Sequence, residues 1–177
     1  MNPTQRSHKT TFSLQRMTVM AILIALGVIL SPILRVPGMA PMQHFINVIC
    51  AVLLGPWYAL VCALLIAILR MTLMSVNLLA VTGAIFGAVL SGLFYRATKA
   101  LISAVVGEVI GTGIIGAIAS YPVMTLVYGK TDLTWLTYVP SFVAGTLIGG
   151  FAAFALLLAL KRSGLLAKFQ QQSGGKP

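Results

Sequence analysis

The sequence predicts an all-α integral membrane protein with six transmembrane helices. Three observations predict this fold: 59% of the 177 residues are hydrophobic, only 8% are charged, and the mean hydropathy is +1.00. A soluble domain is nearer half apolar and a quarter charged. The apolar residues also come in runs of about twenty, the length that crosses a bilayer as a helix. One membrane domain accounts for the chain and leaves little room for a soluble one.

The first three helices are predicted from where each apolar run begins and ends. The first run follows a basic tail and has no small-residue cleavage site after it, so it is interpreted as a retained helix rather than a signal peptide. The third run opens with Pro56, a residue favoured in the first turn of a helix. The second and third runs are short for a full crossing, and the second helix could begin earlier, near Met39. The predicted ranges are 14–31, 43–54 and 56–71.

The last three helices follow from longer apolar runs, predicted at 78–97, 101–128 and 136–160. Pro122 should kink the outer end of the fifth helix. Small residues recur every fourth position in these runs, where they stack on one helix face and let backbones approach closely. The groups are Gly83/Gly87/Ser91, Gly107/Gly111 and Gly145/Gly149.

Gly111, Gly113 and Gly116 spell G-x-G-x-x-G, the fingerprint of a dinucleotide site. Such a site needs the glycines after a strand, at the exposed start of a helix. Here they lie inside an apolar run with no strand before it. Close helix packing, or room for a small ligand, is therefore the favoured interpretation.

The basic residues decide the predicted orientation. With six spans both termini share one side of the membrane, and nine of the twelve lysines and arginines fall on that side. Because cytoplasmic loops carry the excess of positive charge, both termini are predicted to be cytoplasmic. The nine are Arg6, Lys9, Arg16, Arg96, Lys99, Lys161, Arg162, Lys168 and Lys176, and the other three are Arg35, Arg70 and Lys130.

The chain is accordingly divided into an N-terminal cytoplasmic tail (1–13), a membrane domain (14–162) and a C-terminal cytoplasmic tail (163–177). Residues 170–177 are polar and glycine-rich and are expected to be disordered. The net charge of +10 does not indicate nucleic-acid binding, because the basic residues lie at the ends of apolar runs rather than on one soluble face.

Glu108 is one of only two acidic residues and lies inside the fifth run. A charge at the centre of a span costs about 2.5–3.5 kcal/mol on insertion scales, so a partner, a ligand or protonation must offset it. A buried hydrogen bond between helices is the structural interpretation, and contact with a ligand or ion is the functional one. The functional interpretation is favoured, and no partner for Glu108 is evident from the sequence.

Other polar residues gather toward the outer half of the predicted bundle. Gln43 and Asn47 are four residues apart and share a helix face, with His44 on its flank. Capping or interface anchoring explains any single one of these residues. Their convergence from four helices, beneath the loop between Pro32 and Pro41, predicts a small-molecule pocket. The candidate substrate-binding residues are Gln43, His44, Asn47, Arg70, Glu108, Thr112, Ser120, Tyr121, Tyr138 and Ser141.

The sequence shows no catalytic set: no Walker lysine, no paired aspartates with a lipid-transferase spacing, and no serine–histidine pair. It therefore predicts a protein that is not an enzyme, with no cofactor and no metal site. Cys50 and Cys62 are not spaced like metal ligands and are predicted to be buried small side chains.

Four stretches resemble a known family: AILIALGVILSP (21–32), QHFINVICAVLLGPWYALV (43–61), GEVIGTGIIGAIASYPV (107–123) and YVPSF (138–142). They are similar to the ThiW family, S-components of energy-coupling factor (ECF) transporters for vitamins. The similarity covers residues 14–160. The strings GEVIGTGIIGA and INVICAVLLGPWYA are specific.

The resemblance implies a six-helix protein of the bacterial or archaeal cell membrane that captures a thiamine precursor at the outer face. That precursor is 4-methyl-5-(2-hydroxyethyl)thiazole, called hydroxyethylthiazole below. The resemblance also implies that uptake requires a transmembrane coupling subunit, EcfT, and two ATPase subunits, and that the S-component topples in the membrane. Ala21 and Ala25 match the family's A-x-x-x-A pattern, which docks EcfT.

Such a ligand suits the candidate pocket. A thiazole is flat, small and mostly apolar, so aromatic faces such as Phe45, Tyr121 or Tyr138 can stack on it. Its ring nitrogen accepts a hydrogen bond, which Gln43, Asn47 or a protonated Glu108 can donate.

Two other functions stay open. The first is an autonomous secondary transporter that uses Glu108 as a proton relay and carries a vitamin precursor such as the pyrimidine moiety of thiamine. Such carriers often contain inverted repeats, and no convincing internal repeat is found. The second is an intramembrane enzyme of thiamine salvage, which would need a catalytic set.

Overall fold

The computed structural model describes residues 3–33 and 40–172, and side chains within 14–33 and 40–171. All regular structure in these residues is helical. A π-helical segment, Val109–Gly116, joins α5 to α6, so that Leu101–Leu126 forms one continuous helix, called α5–α6 below. The helices are α1 (Pro3–Leu30), α2 (Pro41–Leu54), α3 (Pro56–Met74), α4 (Leu79–Thr98), α5 (Leu101–Glu108), α6 (Ala117–Leu126), α7 (Val139–Arg162) and α8 (Leu165–Gln172).

Four of these helices are long and apolar enough to cross a membrane: α3, α4, α5–α6 and α7. The apolar part of α1, Leu14–Leu30, and α2 are shorter apolar helices. The all-α prediction is confirmed, and each of the six predicted apolar segments lies in a helix. Apart from the start of α1, the helix ends differ from the prediction by a few residues. Helix α1 begins at Pro3, within the predicted tail.

The prediction of disorder is wrong for residues 170–172, which lie in α8, and the Gln170 side chain is buried. Its Nε2 donates hydrogen bonds to the Val52 carbonyl and the Tyr95 hydroxyl, both at 2.9 Å. The Val52 carbonyl belongs to the last turn of α2, where carbonyl groups lack a partner within the helix. The two hydrogen bonds of Gln170 therefore attach the short helix α8 to the bundle. Residues 173–177 lie outside the described residues.

Helix α4 is the central element and packs against α2, α3 and α5–α6. Glycines bring its backbone close to that of α5–α6. A Cβ atom on Gly107 would lie 2.5 Å from the Leu90 carbonyl oxygen, and one on Gly111 would lie 2.6 Å from the Gly87 Cα. Real Cβ atoms do not approach so closely, so the prediction that small residues mediate packing here is confirmed.

Helix α2 begins well inside the bundle. A Cβ atom on Gly149 would collide with the Pro41 carbonyl and lie 2.9 Å from the Phe45 amide nitrogen. The first turn of α2 therefore lies beside Gly149 of α7. Because α7 starts at Val139, ten residues earlier, the start of α2 is recessed by about 15 Å from the start of α7. Residues 34–39, the middle of the loop predicted to cover the site, lie outside the described residues.

Candidate functional site

The candidate site is built around Glu108, whose side chain is fully buried. Its Oε1 accepts hydrogen bonds from Asn47 Nδ2 and Thr112 Oγ1, both at 3.1 Å, and lies 2.9 Å from His44 Nδ1. A third hydrogen bond therefore joins Oε1 to the His44 ring. The burial cost of the carboxyl group is offset by three hydrogen bonds to two helices.

A chain of hydrogen bonds leads into Glu108 from α3. Arg70 Nη1 donates to Gln43 Oε1 at 2.9 Å, Gln43 Nε2 donates to Asn47 Oδ1 at 3.4 Å, and Asn47 donates to Glu108. Every bond points the same way, from the guanidinium toward the carboxyl group. Bonds aligned in this manner polarise one another, so the positive charge of Arg70 supports the acceptor at the far end. These residues, with His44 and Thr112, are called the Glu108 network below.

The second carboxyl oxygen of Glu108, Oε2, is buried without a hydrogen-bond partner among the described residues. It faces Gly87: a Cβ atom there would lie 2.6 Å from Oε2 and would collide with Thr112 Oγ1. Leaving such an acceptor unsatisfied costs about 1–3 kcal/mol. In either protonation state of the carboxyl group, Oε2 is the atom that has a hydrogen bond to offer to a ligand.

The backbone hydrogen-bond pattern of the helix changes directly after Glu108. The π-helical segment Val109–Gly116 begins at the next residue, and single π-helical turns are frequent at functional sites. The glycines of the G-x-G-x-x-G string lie in this segment. A Cβ atom on Gly116 would lie 2.6 Å from the Thr82 carbonyl oxygen, and one on Gly113 would lie 3.0 Å from a Val143 methyl group. These contacts confirm close packing as the role of the glycines.

A second group of candidate residues lies further toward the start of α7. Ser120 Oγ lies 2.6 Å from Thr82 Oγ1, and Ser120 also donates to the Gly116 carbonyl at 2.7 Å. The Tyr121 ring packs against Trp135, with centroids 4.4 Å apart. Ser120 is fully buried, so its hydroxyl is held by partners within the bundle.

The start of α7 adds an aromatic wall. The Tyr138 and Phe142 rings lie 6.0 Å apart between centroids, and Phe142 packs over Gly83, whose Cβ atom would lie 3.0 Å from the ring. Ser141 Oγ donates to the Tyr138 carbonyl at 3.0 Å and so caps its own turn. Desolvation raises the pKa of the Tyr138 phenol.

The structure thus divides the ten predicted residues into two groups. Sequence reasoning separated Glu108 and Thr112 from the other eight residues, whereas the structure joins His44 and Asn47 directly to Glu108. Their depth follows from the recessed start of α2, which no sequence signal revealed. The pairing of His44 with Glu108 was missed, although an acid and a histidine within apolar segments are expected to pair.

Three further residues were missed: Thr82, Gly87 and Phe142. Gly87 makes room for Glu108, and its membership of a small-residue repeat was the available signal. Phe142 belongs to the YVPSF string quoted for the family resemblance, while nothing in the sequence singled out Thr82.

Ala21 and Ala25, the candidate docking residues, are exposed on α1. Leu23, midway between them, is buried. Successive helix residues are about 100° apart, so both alanines lie on the opposite side of α1 from the face that packs on the bundle.

One comparison with known proteins identifies a family. The family model described as "Thiamine-precursor transporter protein (ThiW)" matches residues 17–163. No curated protein and no solved structure matches the chain. The matched span contains both groups of candidate site residues and both alanines of α1.

Proposed function

The chain belongs to the ThiW family of thiamine-precursor transporter proteins, and from that premise we propose that it is the substrate-binding S-component of an ECF importer. It is a multi-pass membrane protein, with four long apolar helices and shorter apolar ones. In this proposal six helices, α1 to α4, α5–α6 and α7, lie in the membrane and both termini are cytoplasmic. Clustering of basic residues near the turn between α4 and α5 and at the end of α7 supports that orientation.

The observation that carries the proposal is the Glu108 network beneath the recessed start of α2. The network presents fixed donors and acceptors at the first turns of α2, and the aromatic residues Tyr138 and Phe142 lie at the start of α7. A few placed polar groups beside apolar and aromatic side chains are the usual lining of a small-molecule site. A transporter that only binds its substrate needs no catalytic group.

The hydrogen-bonding groups and the flat ring of hydroxyethylthiazole match the side chains of the network and of the start of α7. Its hydroxyl group both donates and accepts, so it suits Gln43 and Arg70 at the outer side of the network or Oε2 of Glu108 at its base. Its flat ring suits the faces of Tyr138 and Phe142, where stacking contributes beyond the buried area. The ligand is small, so a few well-placed contacts must supply its affinity.

Calorimetry of the purified protein with hydroxyethylthiazole tests this proposal. Thr112→Val removes a hydroxyl that bonds Glu108 and keeps the side-chain shape, so it should weaken binding about tenfold. Thr125→Val is the matched control, because Thr125 bonds only carbonyls of its own helix in the described structure, and it should bind as the unchanged protein does. Equal affinity of the Thr112 variant and the unchanged protein would remove the network from the site.

The coupling role is tested separately through α1. Ala21→Leu combined with Ala25→Leu should prevent co-purification with the EcfT and ATPase subunits. Two bulky side chains then replace the small ones that let a partner helix pack closely. Ligand binding by calorimetry should not change. The same pair of changes at Ala152 and Ala155, which are exposed on α7, is the control and should leave the complex intact.

A proton-coupled carrier is the second candidate, and the buried His44–Glu108 pair is the observation that favours it, since intramembrane acid–histidine chains serve as proton relays. The two candidates differ in what drives uptake. Vesicles that contain only this chain should not accumulate labelled hydroxyethylthiazole, or the labelled pyrimidine moiety, when a proton gradient is imposed. Accumulation under those conditions would decide for the carrier.

A further inference from the structure

The C-terminal helix α8 lies beyond the part of the chain that matches the family model, which ends at residue 163. Lys161 and Arg162 end the apolar stretch of α7, as cations do where a membrane helix reaches the lipid headgroups. Gly164 follows with φ of 73°, in the left-handed region that ends many helices. The chain turns there, and α8 packs against α7, α2 and α1. Helix α8 therefore begins at the level of the membrane surface.

One side of α8 faces the bundle. Leu166 and Gln170 are four residues apart and share a helix face, and both side chains are buried. Gln170 closes a cavity of about 310 Å³, where the turn between α2 and α3 meets the end of α4. The cavity is called the basic cavity below, because its lining includes Arg16, Arg96 and Lys99. Lys99, which follows α4, has φ of 57° and so lies in the left-handed region.

A second side of α8 is apolar and exposed. Successive helix residues are about 100° apart, so Leu165 and Phe169 share a face that lies next to the face of Leu166 and Gln170. The side chains of Leu165 and Phe169 are 41% and 40% exposed. Gln171 lies on the opposite flank of α8 and is exposed as well. The apolar sector of α8 is therefore wider than the part that the bundle covers.

Cations border this apolar side. Lys168 lies next to it, on the side of α8 that points away from the bundle, and Lys168, Lys161 and Arg162 are all exposed. The two acidic side chains of the chain lie elsewhere: Glu108 is buried in its network, and Asp132 lies between α6 and α7, at the other end of α7. Exposed leucine and phenylalanine side chains bordered by lysine are typical of a helix that lies in the surface of an anionic membrane.

We propose that α8 binds the surface of a membrane that contains anionic phospholipids. Leu165 and Phe169 enter the boundary between headgroups and acyl chains, while Lys161, Arg162 and Lys168 bind the phosphate groups of the lipids. The buried side of α8 stays docked on the bundle, so the helix attaches this end of the bundle to one leaflet. A soluble anion would neutralise the cations but would leave the two apolar side chains in water.

Two reporter variants test the apolar side. Both start from the full chain with Trp57→Phe and Trp135→Phe, which remove the two tryptophans of the chain at exposed positions. Phe169→Trp then places a single tryptophan on the apolar side, and Gln171→Trp, the matched control, places it on the opposite flank. Each protein is reconstituted into phosphatidylcholine vesicles that contain phosphatidylglycerol brominated on its acyl chains. Circular dichroism checks that both retain the helix content of the unchanged chain.

Bromine should quench the Phe169→Trp reporter more strongly than the Gln171→Trp reporter, because only the first reaches the acyl chains. Acrylamide dissolved in the water should quench the two reporters in the reverse order. Both positions are exposed and lie on the same short helix, so a general loosening of α8 would change the two signals together.

Lys168→Gln in the Phe169→Trp protein tests the role of charge. Parallel vesicles with brominated phosphatidylcholine in place of brominated phosphatidylglycerol give the preference for the anionic lipid. Lys168→Gln should lower this preference about fivefold, the effect of one cation near an anionic surface. Lys130→Gln is the matched control and should leave the preference unchanged, because Lys130 lies between α6 and α7, at the other end of α7.

Three outcomes would overturn the proposal. The first is equal quenching of the two reporters by bromine, and the second is an effect of Lys130→Gln as large as that of Lys168→Gln. The third is a Phe169→Trp reporter shielded from both acrylamide and bromine, which would assign the apolar side to a second copy of the chain. The quenching is measured without a precursor and on either side of the vesicle, so its result is independent of the proposed function.

Discussion

The Glu108 network and the basic cavity both place charged side chains within an apolar bundle, but they stabilise those charges differently. In the network, an acid, a histidine and an arginine from three helices are joined by hydrogen bonds and are almost completely buried. In the basic cavity, Arg96 and Lys99 are exposed and no acidic side chain lies among the lining residues.

This difference predicts how each group of charges contributes to stability. Breaking a buried hydrogen-bonded pair leaves an unpaired group without water, so changes in the network should lower the stability strongly. An exposed cation keeps its hydration when its neighbour is removed, so changes in the basic cavity should cost little stability. The following predictions test that contrast in order of decreasing effect.

The largest effect is expected from breaking the buried pair. His44→Leu should lower the free energy of unfolding by about 3 kcal/mol, because Glu108 Oε1 then loses one of its three hydrogen-bond partners inside the bundle. Equilibrium unfolding in mixed detergent micelles measures it. Adding Glu108→Leu to the same protein should recover part of the loss, since replacing both partners by apolar groups is nearly neutral. Simple additivity of the two losses would show that the pair is not coupled.

The next effect concerns the glycines that bring α4 and α5–α6 together beside the network. Gly111→Ala should cost about 2 kcal/mol, because its Cβ atom meets the backbone of Gly87 and Phe86, which cannot move aside without separating the helices. Gly113→Ala should cost less than about 1 kcal/mol, since its nearest neighbour is a Val143 methyl group that can rotate. The same unfolding assay compares the two, and equal losses would contradict the assigned contacts.

A smaller effect is expected at the floor of the basic cavity. Gln170→Ala removes two hydrogen bonds, to Val52 and Tyr95, and should loosen α8 by about 1 kcal/mol without unfolding the bundle. Hydrogen exchange should rise in Leu165–Gln172 alone. An increase that spreads into α2 would mean that α8 supports the membrane helices and not only its own docking.

The smallest effect has the opposite sign. Lys99→Gly should raise the unfolding free energy by about 0.5 kcal/mol, because glycine adopts the left-handed conformation without strain. Lys99→Ala keeps the strained Cβ atom and should give no gain. A loss of stability in the glycine variant would show that the Lys99 ammonium group stabilises the fold, as the charges of the network are expected to do.

The fold was largely predictable, since apolar runs and their proline and glycine boundaries located each apolar helix within a few residues. Prediction was weaker where depth matters. Gln43 and Asn47 were predicted to share a helix face with His44 on its flank, but how deep these residues lie in the bundle depends on where α2 starts relative to α7, which local periodicity does not contain.

The sequence by itself determined that this chain is an all-helical membrane protein, because its composition and the length of its apolar runs match the hydrocarbon core that membrane helices cross. The ThiW family was indicated by four specific stretches of sequence and not by composition. The sequence also determined that Glu108 required compensation, because a lone acid in an apolar segment is costly wherever it lies. Only the tertiary structure decided that His44, Asn47 and Thr112 provide it, that Gln170 closes a basic cavity, and that Lys99 is held in the left-handed conformation. These features depend on distances between segments far apart in the chain, and such distances arise only when the helices pack.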